Sequence, residues 1–194
     1  TRSTTAGQDF LADLEREIDL PTPRIDSDRL VRQVHLGGGT PTFLSPDQID
    51  QLMRLLRTRF QFASNAEIGL EVDPRSVEPA DIRRLRETGF NRISIGIQDL
   101  DPEVQKAVNR VHDETRVAAI VGAAHALGFD SISVDLIYGL PKQTTDAFAR
   151  TVERVIEMRP DRLSLFNYAH LPHLFKPQQR IKAEELPAPS VKLA

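Results

Sequence analysis

The chain has 194 residues, 40% apolar and 27% charged, which places it among ordinary globular proteins long enough to bury a core. Its 25 basic and 28 acidic residues leave a formal net charge of −3, so there is no electrostatic footprint for nucleic acid or an anionic membrane. Cysteine is absent, which excludes disulfides, thiol nucleophiles and any thiolate-ligated zinc or iron–sulfur site built by these residues alone.

No apolar run approaches the ~20 residues of a membrane helix. The opening Thr1-Arg2-Ser3-Thr4-Thr5 is polar and lacks the apolar region of a signal peptide. These features predict a cytoplasmic protein without membrane or nucleic-acid partners.

In chain order, Phe10, Leu11, Leu14 and Ile18 recur at helical spacing and predict a helix over 8–20, ended by Pro21 and Pro23. Residues 29–36 alternate polar with apolar and predict a strand stopped by Gly37-Gly38-Gly39. Ser45 as N-cap, Pro46 at the first helical position and Gln48 closing a capping box then open a helix carrying Ile49, Leu52, Met53 and Leu56. The pattern repeats. Strand 66–72 ends at Asp73-Pro74, and helix 79–88 closes at Gly89. Strand 91–98 leads to a short helix near 101–108 and a longer one over 113–127. Strand 131–138, helix 145–158 and strand 162–168 complete the series. Strands alternating with helices at about 30 residues per unit predict an α/β fold with repeated crossovers and a parallel sheet. From 172 onward, Pro172, Pro177, Pro187 and Pro189 sit among polar residues without apolar period. The expected division is a core over 1–171 and an extended Pro-rich connector over 172–194.

Parallel α/β folds place their sites at the carboxyl ends of the strands. Here those ends deliver Gly37-Gly38-Gly39-Thr40, Glu71 and Asp73, Gln98 and Asp99, Asp135 and Tyr138, and Asn167, Tyr168 and His170. Glu71, Gln98 and Asp135 each close an apolar run, where a buried polar group is costly without a partner. Each has a plainer explanation too. The glycine run could be a tight turn, since it lacks the lysine of a P-loop and the spacing of a dinucleotide fingerprint. Its functional alternative is that absent side chains let a ligand lie against the backbone. Glu71 and Asp135 could be structural ion-pair partners of Arg92, Arg110 or Lys142. Taken together, the cluster favours a site. Asp73-Pro74 reads first as a turn, and Arg110 is either a solvated arginine or an inward carboxylate clamp. His35 reads as packed core; His112 and His125 receive no role. His170 and His173 flank Leu171-Pro172 at the rim, with no second pair at ligand spacing, so no metal site is assigned. A metal-dependent lyase using Glu71, Asp135 and His170 stays as a lesser alternative.

Six segments, in this order, carry a resemblance. They are His35-Leu36-Gly37-Gly38-Gly39-Thr40-Pro41-Thr42, Glu71-Val72-Asp73-Pro74, Arg92-Ile93-Ser94-Ile95-Gly96-Ile97-Gln98-Asp99, Val108-Asn109-Arg110, Asp135-Leu136-Ile137-Tyr138-Gly139-Leu140-Pro141-Lys142-Gln143-Thr144 and Phe166-Asn167-Tyr168-Ala169-His170-Leu171-Pro172. Together they resemble the oxygen-independent coproporphyrinogen III oxidases, radical S-adenosylmethionine enzymes of haem biosynthesis. The first, second and fifth are shared with a haem-chaperone branch, which is the alternative identity.

The resemblance implies a partial (β/α) barrel of about five units. It implies that Gly38, Gly39 and Thr40 hold the methionyl part of S-adenosylmethionine, that Glu71, Gln98, Arg110, Asp135 and Ala169 contact two molecules of it, and that Ile137 walls the same pocket. It further implies a C-x3-C-x2-C triplet binding a [4Fe–4S] cluster, expected ahead of the helix at 8–20, and a further domain after the connector, neither of them within these residues. The reaction implied is radical cleavage of S-adenosylmethionine by a cluster electron, hydrogen abstraction from a propionate of coproporphyrinogen III, and loss of carbon dioxide and an electron to leave a vinyl group. An electron donor to the cluster is the implied partner. The chain alone is expected to be inactive and to self-associate through an exposed edge strand at 29–36.

Overall fold

The computed structural model describes residues 4–20, 22, 25, 26 and 28–192. Pro21 and Pro23, expected to end the first helix, lie outside the described residues. Helix α1 runs over Thr4–Asp19 and starts one turn before the expected boundary, because Thr4-Thr5-Ala6-Gly7 carries no apolar period to reveal it. Leu11 on this helix is buried, whereas Phe10 stays half exposed.

Five strands follow, β1 (Leu30–Leu36), β2 (Gln61–Val72), β3 (Arg92–Gln98), β4 (Ser131–Tyr138) and β5 (Arg162–Asn167), all parallel and in sequential order across one sheet. The sheet is curled into a half-barrel, the (β/α) architecture expected from the repeat. Strand β2 starts five residues earlier than the alternation signals. Gln61 and Phe62 pair with Leu30 and Val31, and the ladder resumes only at Gln33 and Glu67. Residues 61–65 have no alternation of their own; pairing of Gln61 and Phe62 with β1 starts the strand there, and 63–66 bulge out of the register.

The connecting helices are α2 (Pro46–Arg59), α3 (Pro79–Thr88), α4 (Pro102–Ala107), α5 (Glu114–Ala126) and α6 (Thr145–Glu157). Their starts follow the sequence chemistry. Ser45 and Gln48 close the capping box of α2 in both directions, at 3.3 and 2.9 Å. Asp101 caps α4 by accepting from the Glu103 and Val104 N–H groups, and Asp113 caps α5. After β5 the chain makes 3-10 turns at Lys176–Arg180 and Ala183–Glu185 and a one-turn helix α7 at Pro189–Lys192. The Lys142 N–H donates to the Glu185 carbonyl at 2.8 Å, which ties that stretch to the loop after β4.

Strand alternation separates two faces. Ile68, Leu70 and Val72, then Ile93, Ile95 and Ile97, then Ile132, Val134 and Leu136 point outward and pack with Met53, Ile82, Val117, Ile120 and Val121 of the helices. Glu71, Ser94, Gly96, Gln98 and Asp135 occupy intervening positions on the concave face. At the strand starts, side chains extend the ladder: Asn91 accepts from the Ile68 N–H at 2.7 Å, and Asp161 accepts from the Ile132 N–H at 2.8 Å. Phe90 is fully buried at the entry to β3. Phe90→Ala is expected to lower unfolding free energy by about 3–5 kcal/mol through the cavity it leaves. Ser45→Ala at the α2 cap should cost only about 1 kcal/mol. Urea titration of the two variants measures the contrast.

Candidate functional site

The glycine segment leaves β1 fully exposed. Gly38 has φ +97°, and the space where a side chain would stand on Gly38 or Gly39 is open to 4 Å. Thr40 follows as the N-terminal flank of a 3-10 turn over Pro41–Phe43. Thr42 is buried there, and its hydroxyl bonds that of Ser76 at 2.8 Å, fixing the loop after β1 to the loop after β2.

Glu71, at the end of β2, lies beneath this segment. A Cβ on Gly37 would stand 2.8 Å from Glu71 Oε1, so only glycine lets the carboxylate sit so close to the loop. His35 Nε2 approaches the same oxygen at 3.5 Å. His35 was expected to pack in the core; instead it is exposed on the concave face, because β1 is an edge and its inward positions have no cover.

Gln98 ends β3 with φ 71°, and its amide lies over Gly96, whose Cβ would fall 2.9 Å from Gln98 Nε2 and 3.5 Å from Arg110 Nη2. Arg110 is turned inward, which decides between its two readings. Its Nη2 donates to the Gly96 carbonyl at 3.4 Å and to Asp73 Oδ2 at 3.3 Å. Burial pulls its guanidinium below the ordinary arginine value, with Asp73 opposing. Asp135 on β4 accepts from the Ser94 hydroxyl at 2.8 Å. Ala169 lies just past β5, its carbonyl held by Gln178 Nε2 at 3.0 Å.

The cations that could have neutralised the cluster are engaged elsewhere. Arg92 pairs with Glu67 at 2.5 Å, Arg110 with Asp73, and Lys142 reaches Glu103 at 4.0 Å. Among the described residues, no lysine or arginine pairs with Glu71 or Asp135. Both carboxylates therefore face the concave side as open acceptors.

Three groups escaped the sequence reading. Arg75 clasps Asp73 through its backbone N–H and guanidinium, at 2.6 to 3.1 Å. Burial pushes the Asp73 carboxyl up, but the Arg75 hydrogen bonds and the charge of Arg110 outweigh it and hold the group below its ordinary value. The signal was present in Asp73-Pro74-Arg75, a turn whose arginine can fold back onto its own aspartate. Asp99, expected at the rim, is 1% exposed and turned into the protein. His112 is the third: both its ring nitrogens are buried without a hydrogen-bond partner.

Two clefts flank these groups. One, about 360 Å³, is lined by Gly37, Gly39, Thr40, His35, Phe10 and Phe43. The other, about 840 Å³, is lined by Gln98, Arg110, Ile137 and Tyr168, with Arg75, Lys176 and Arg180 adding positive charge and no carboxylate in the wall. Glu71, Asp135 and His170 do not gather for a metal, and among the described residues no group of three or more such ligands does. No helix of the described residues is long and apolar enough to cross a membrane.

A curled parallel half-barrel with a glycine segment after its first strand and, among the described residues, concave-face carboxylates without a lysine or arginine partner defines the class. Residues 15–155 match the radical SAM superfamily, and the chain belongs to it. That superfamily pairs S-adenosylmethionine with a [4Fe–4S] cluster. Within it, the chain is similar to the oxygen-independent coproporphyrinogen III oxidase of Pseudomonas aeruginosa, at 53% identity over 186 residues covering 95% of this chain and 40% of that protein. The oxidase of the same name from Escherichia coli is 51% identical over 193 residues, covering 100% of this chain and 42% of that protein. The solved Escherichia coli coproporphyrinogen III oxidase, a radical SAM enzyme, superposes with a TM-score of 0.95 at 51% identity, over 100% of this chain and 44% of that one. A radical S-adenosylmethionine methyltransferase from Kitasatospora setae superposes with a TM-score of 0.63 at 14% identity, over 83% of this chain and 31% of that one, which shows the shared fold alone. The chain spans about two-fifths of the length of the curated relatives it matches.

His112 yields a pH signature. Burial lowers its pKa from 6.5, aided by Arg110 and Arg75 and opposed by Asp73 and Asp113. The unfolded chain therefore binds more protons than the folded one just below 6.5, and stability falls as pH drops through that window. Asp73 acts in a separate, more acid window: its lowered pKa stabilises the fold above the unfolded value of 3.8, and that contribution is lost as pH falls further. His112→Gln is expected to flatten the plot of unfolding free energy against pH below 6.5 while leaving the limb below 3.8 in place. Equal slopes for the parent and the variant just below 6.5 would refute the assignment.

Proposed function

We propose that these residues form the S-adenosylmethionine-binding core of an oxygen-independent coproporphyrinogen III oxidase, a cytoplasmic enzyme of porphyrin biosynthesis. The observation that carries this reading is the 51–53% identity with proteins of that name over 95–100% of the chain. The geometry adds a chemical rationale. S-adenosylmethionine, when bound, supplies a carboxylate, an ammonium, ribose hydroxyls and a sulfonium, together with the radical chemistry for which the superfamily is named. The backbone at Gly38, Gly39 and Thr40 offers hydrogen-bonding groups to the methionyl end. Glu71 and Asp135 are acceptors suited to hydroxyls and an ammonium, and Arg110 is a donor suited to a carboxylate. Gln98 can donate and accept, and Ala169, just past β5, is the further contact that the resemblance implies. Two clefts, one at the glycine segment and one at Gln98 and Arg110, support two molecules of S-adenosylmethionine rather than one. In this reading the larger cleft is shared: Lys176 and Arg180 in its wall suit the propionate carboxylates of coproporphyrinogen III beside the second S-adenosylmethionine.

The cluster does not fit the residues present. With no cysteine and no alternative ligand group among the described residues, no step can be routed through it here. Residues 1–194 alone are expected to bind S-adenosylmethionine but not to cleave it.

The test uses the full-length gene product containing these residues, reconstituted with iron and sulfide under anaerobic conditions and supplied with a reductant. Decarboxylation of coproporphyrinogen III is expected. Tight stoichiometric haem binding without decarboxylation would point to the chaperone branch instead. In the isolated chain, Glu71→Gln and Arg110→Lys are each expected to weaken S-adenosylmethionine binding about tenfold by calorimetry, as loss of a charge-assisted hydrogen bond does. Unchanged affinity in both would remove them from the site.

We propose also that the isolated chain self-associates through β1. That edge exposes Leu30, with Phe10 and Phe43 exposed nearby. Light scattering at high concentration should give a mass above 21.8 kDa; a clean monomer sinks this proposal.

A further inference from the structure

Gln98 has φ 71°, a left-handed conformation that residues other than glycine seldom adopt. Across it, the Asp99 N–H donates to the Ile97 carbonyl at 3.0 Å. An i to i+2 hydrogen bond around a positive-φ residue is a γ-turn of the rare, strained kind. The β3–β4 register shifts at the same point, Gly96 pairing with Asp135 and Gln98 with Leu136, so the ladder skips Ile97 and cannot by itself hold the turn. Something else must.

The Asp99 side chain is placed to do it. Its Oδ1 accepts from the Thr151 hydroxyl at 2.7 Å and from the Asp101 N–H at 2.8 Å, and its Oδ2 accepts from Gln143 Nε2 at 2.5 Å. Among the described residues no cation pairs with it. A buried carboxylate without a counter-charge is expensive, and here neutral donors from three directions offset that cost. Gln143 is pinned in turn, because its Oε1 accepts from the Gly139 and Leu140 N–H groups and its Nε2 also donates to the Ile137 carbonyl. On the other side, the Asp99 carbonyl accepts from Gln105 Nε2 at 3.0 Å, and the Gln105 carbonyl accepts from the Arg110 N–H at 2.9 Å. One side chain and its own carbonyl therefore tie together the end of β3, the loop after β4, helix α6 and the segment presenting Arg110.

We infer that Asp99 is the positioning residue of the site. Its carboxylate holds the strained turn that aims Gln98 into the larger cleft, and through Gln143 it fixes the end of β4 that carries Ile137 and the loop that follows it. It touches no ligand. The inference rests on the S-adenosylmethionine reading for the ligand that Gln98 and Arg110 meet, but not for the mechanical role of Asp99. A carboxylate is required rather than an amide. Three donors converge on it, and Gln143 cannot turn its oxygen toward the site without abandoning two backbone N–H groups. Asp99→Asn therefore sets donor against donor; Gln143→Glu in the same chain restores an acceptor opposite the new amide but gives up the donor to the Ile137 carbonyl.

The isolated chain serves for the test, read by backbone hydrogen exchange and by S-adenosylmethionine calorimetry. Asp99→Asn is expected to speed exchange about tenfold over residues 97–112 and 138–145 while α2 keeps its parent rates, and to weaken binding about tenfold. The double variant Asp99→Asn/Gln143→Glu is expected to recover part of the loss over residues 97–112, while residues 138–145, deprived of the Gln143 donor to the Ile137 carbonyl, stay fast. Ile120→Val, a core change distant from the network, should leave exchange in those loops and affinity at parent values. If Asp99→Asn does not fold, Thr151→Val removes one donor of the three and should show the same pattern, reduced in size. Parent exchange rates in both loops, equal acceleration in every element, or a double variant no better than the single over residues 97–112 would each overturn the role given to Asp99. An unmutated chain that binds no S-adenosylmethionine would count against the ligand reading alone, and the exchange comparison would still decide the position of Asp99.

Discussion

The structure depends on the strict two-residue period of parallel strands, which gives the sheet one face that only helices can cover and one that only a ligand or water can. Isoleucine, leucine and valine take the outward positions of β2, β3 and β4 and bury against the helices. The same registers turn Glu71, Ser94, Gly96, Gln98 and Asp135 inward. Moving any strand by one residue would expose its core side and bury its acids, so the register that forms the core also forms the site. Parallel order adds the second half of the constraint by bringing every strand end, and hence every loop that follows one, to the same rim.

On that rim the polar groups fall into two kinds. Asp73 with Arg75 and Arg110, and Asp99 with Gln143 and Thr151, are satisfied internally and hold loops in place. Glu71 and Asp135 hold little and remain open as acceptors. Arg110 belongs to both kinds, bracing Asp73 while it lines the larger cleft. This separation makes a preorganised site, because Glu71 and Asp135 do not have to be released from a lysine or arginine before they meet a ligand, and Arg110 is held in place by Asp73.

Much of this was legible from residue order. The capping box at Ser45 and Gln48 and the stop at Gly89 are local chemistry, and they appear where the residues place them. Boundaries that depend on a neighbour were not. The first half of β2 is a strand only because β1 lies beside it, and α1 extends through a Thr-Thr-Ala-Gly turn without apolar period. His35 has the sequence context of a core residue but belongs to a strand at the edge of the sheet among the described residues, where its ring stays half exposed beside Glu71.

The sequence alone determined the fold class, the order of the βα units and which carboxylates and amides sit at strand ends, because period, capping and turn chemistry act within a few residues. Only the tertiary structure decided what those groups do. Whether Asp99 faces the cleft or the core, whether Arg110 points in or out, and whether Arg92 and Lys142 neutralise the inward acids or pair elsewhere depend on atoms 14 to 52 residues away in sequence. Hydrogen bonds and ion pairs at that separation form only when the chain has closed on itself, and no local pattern encodes which donor reaches which acceptor.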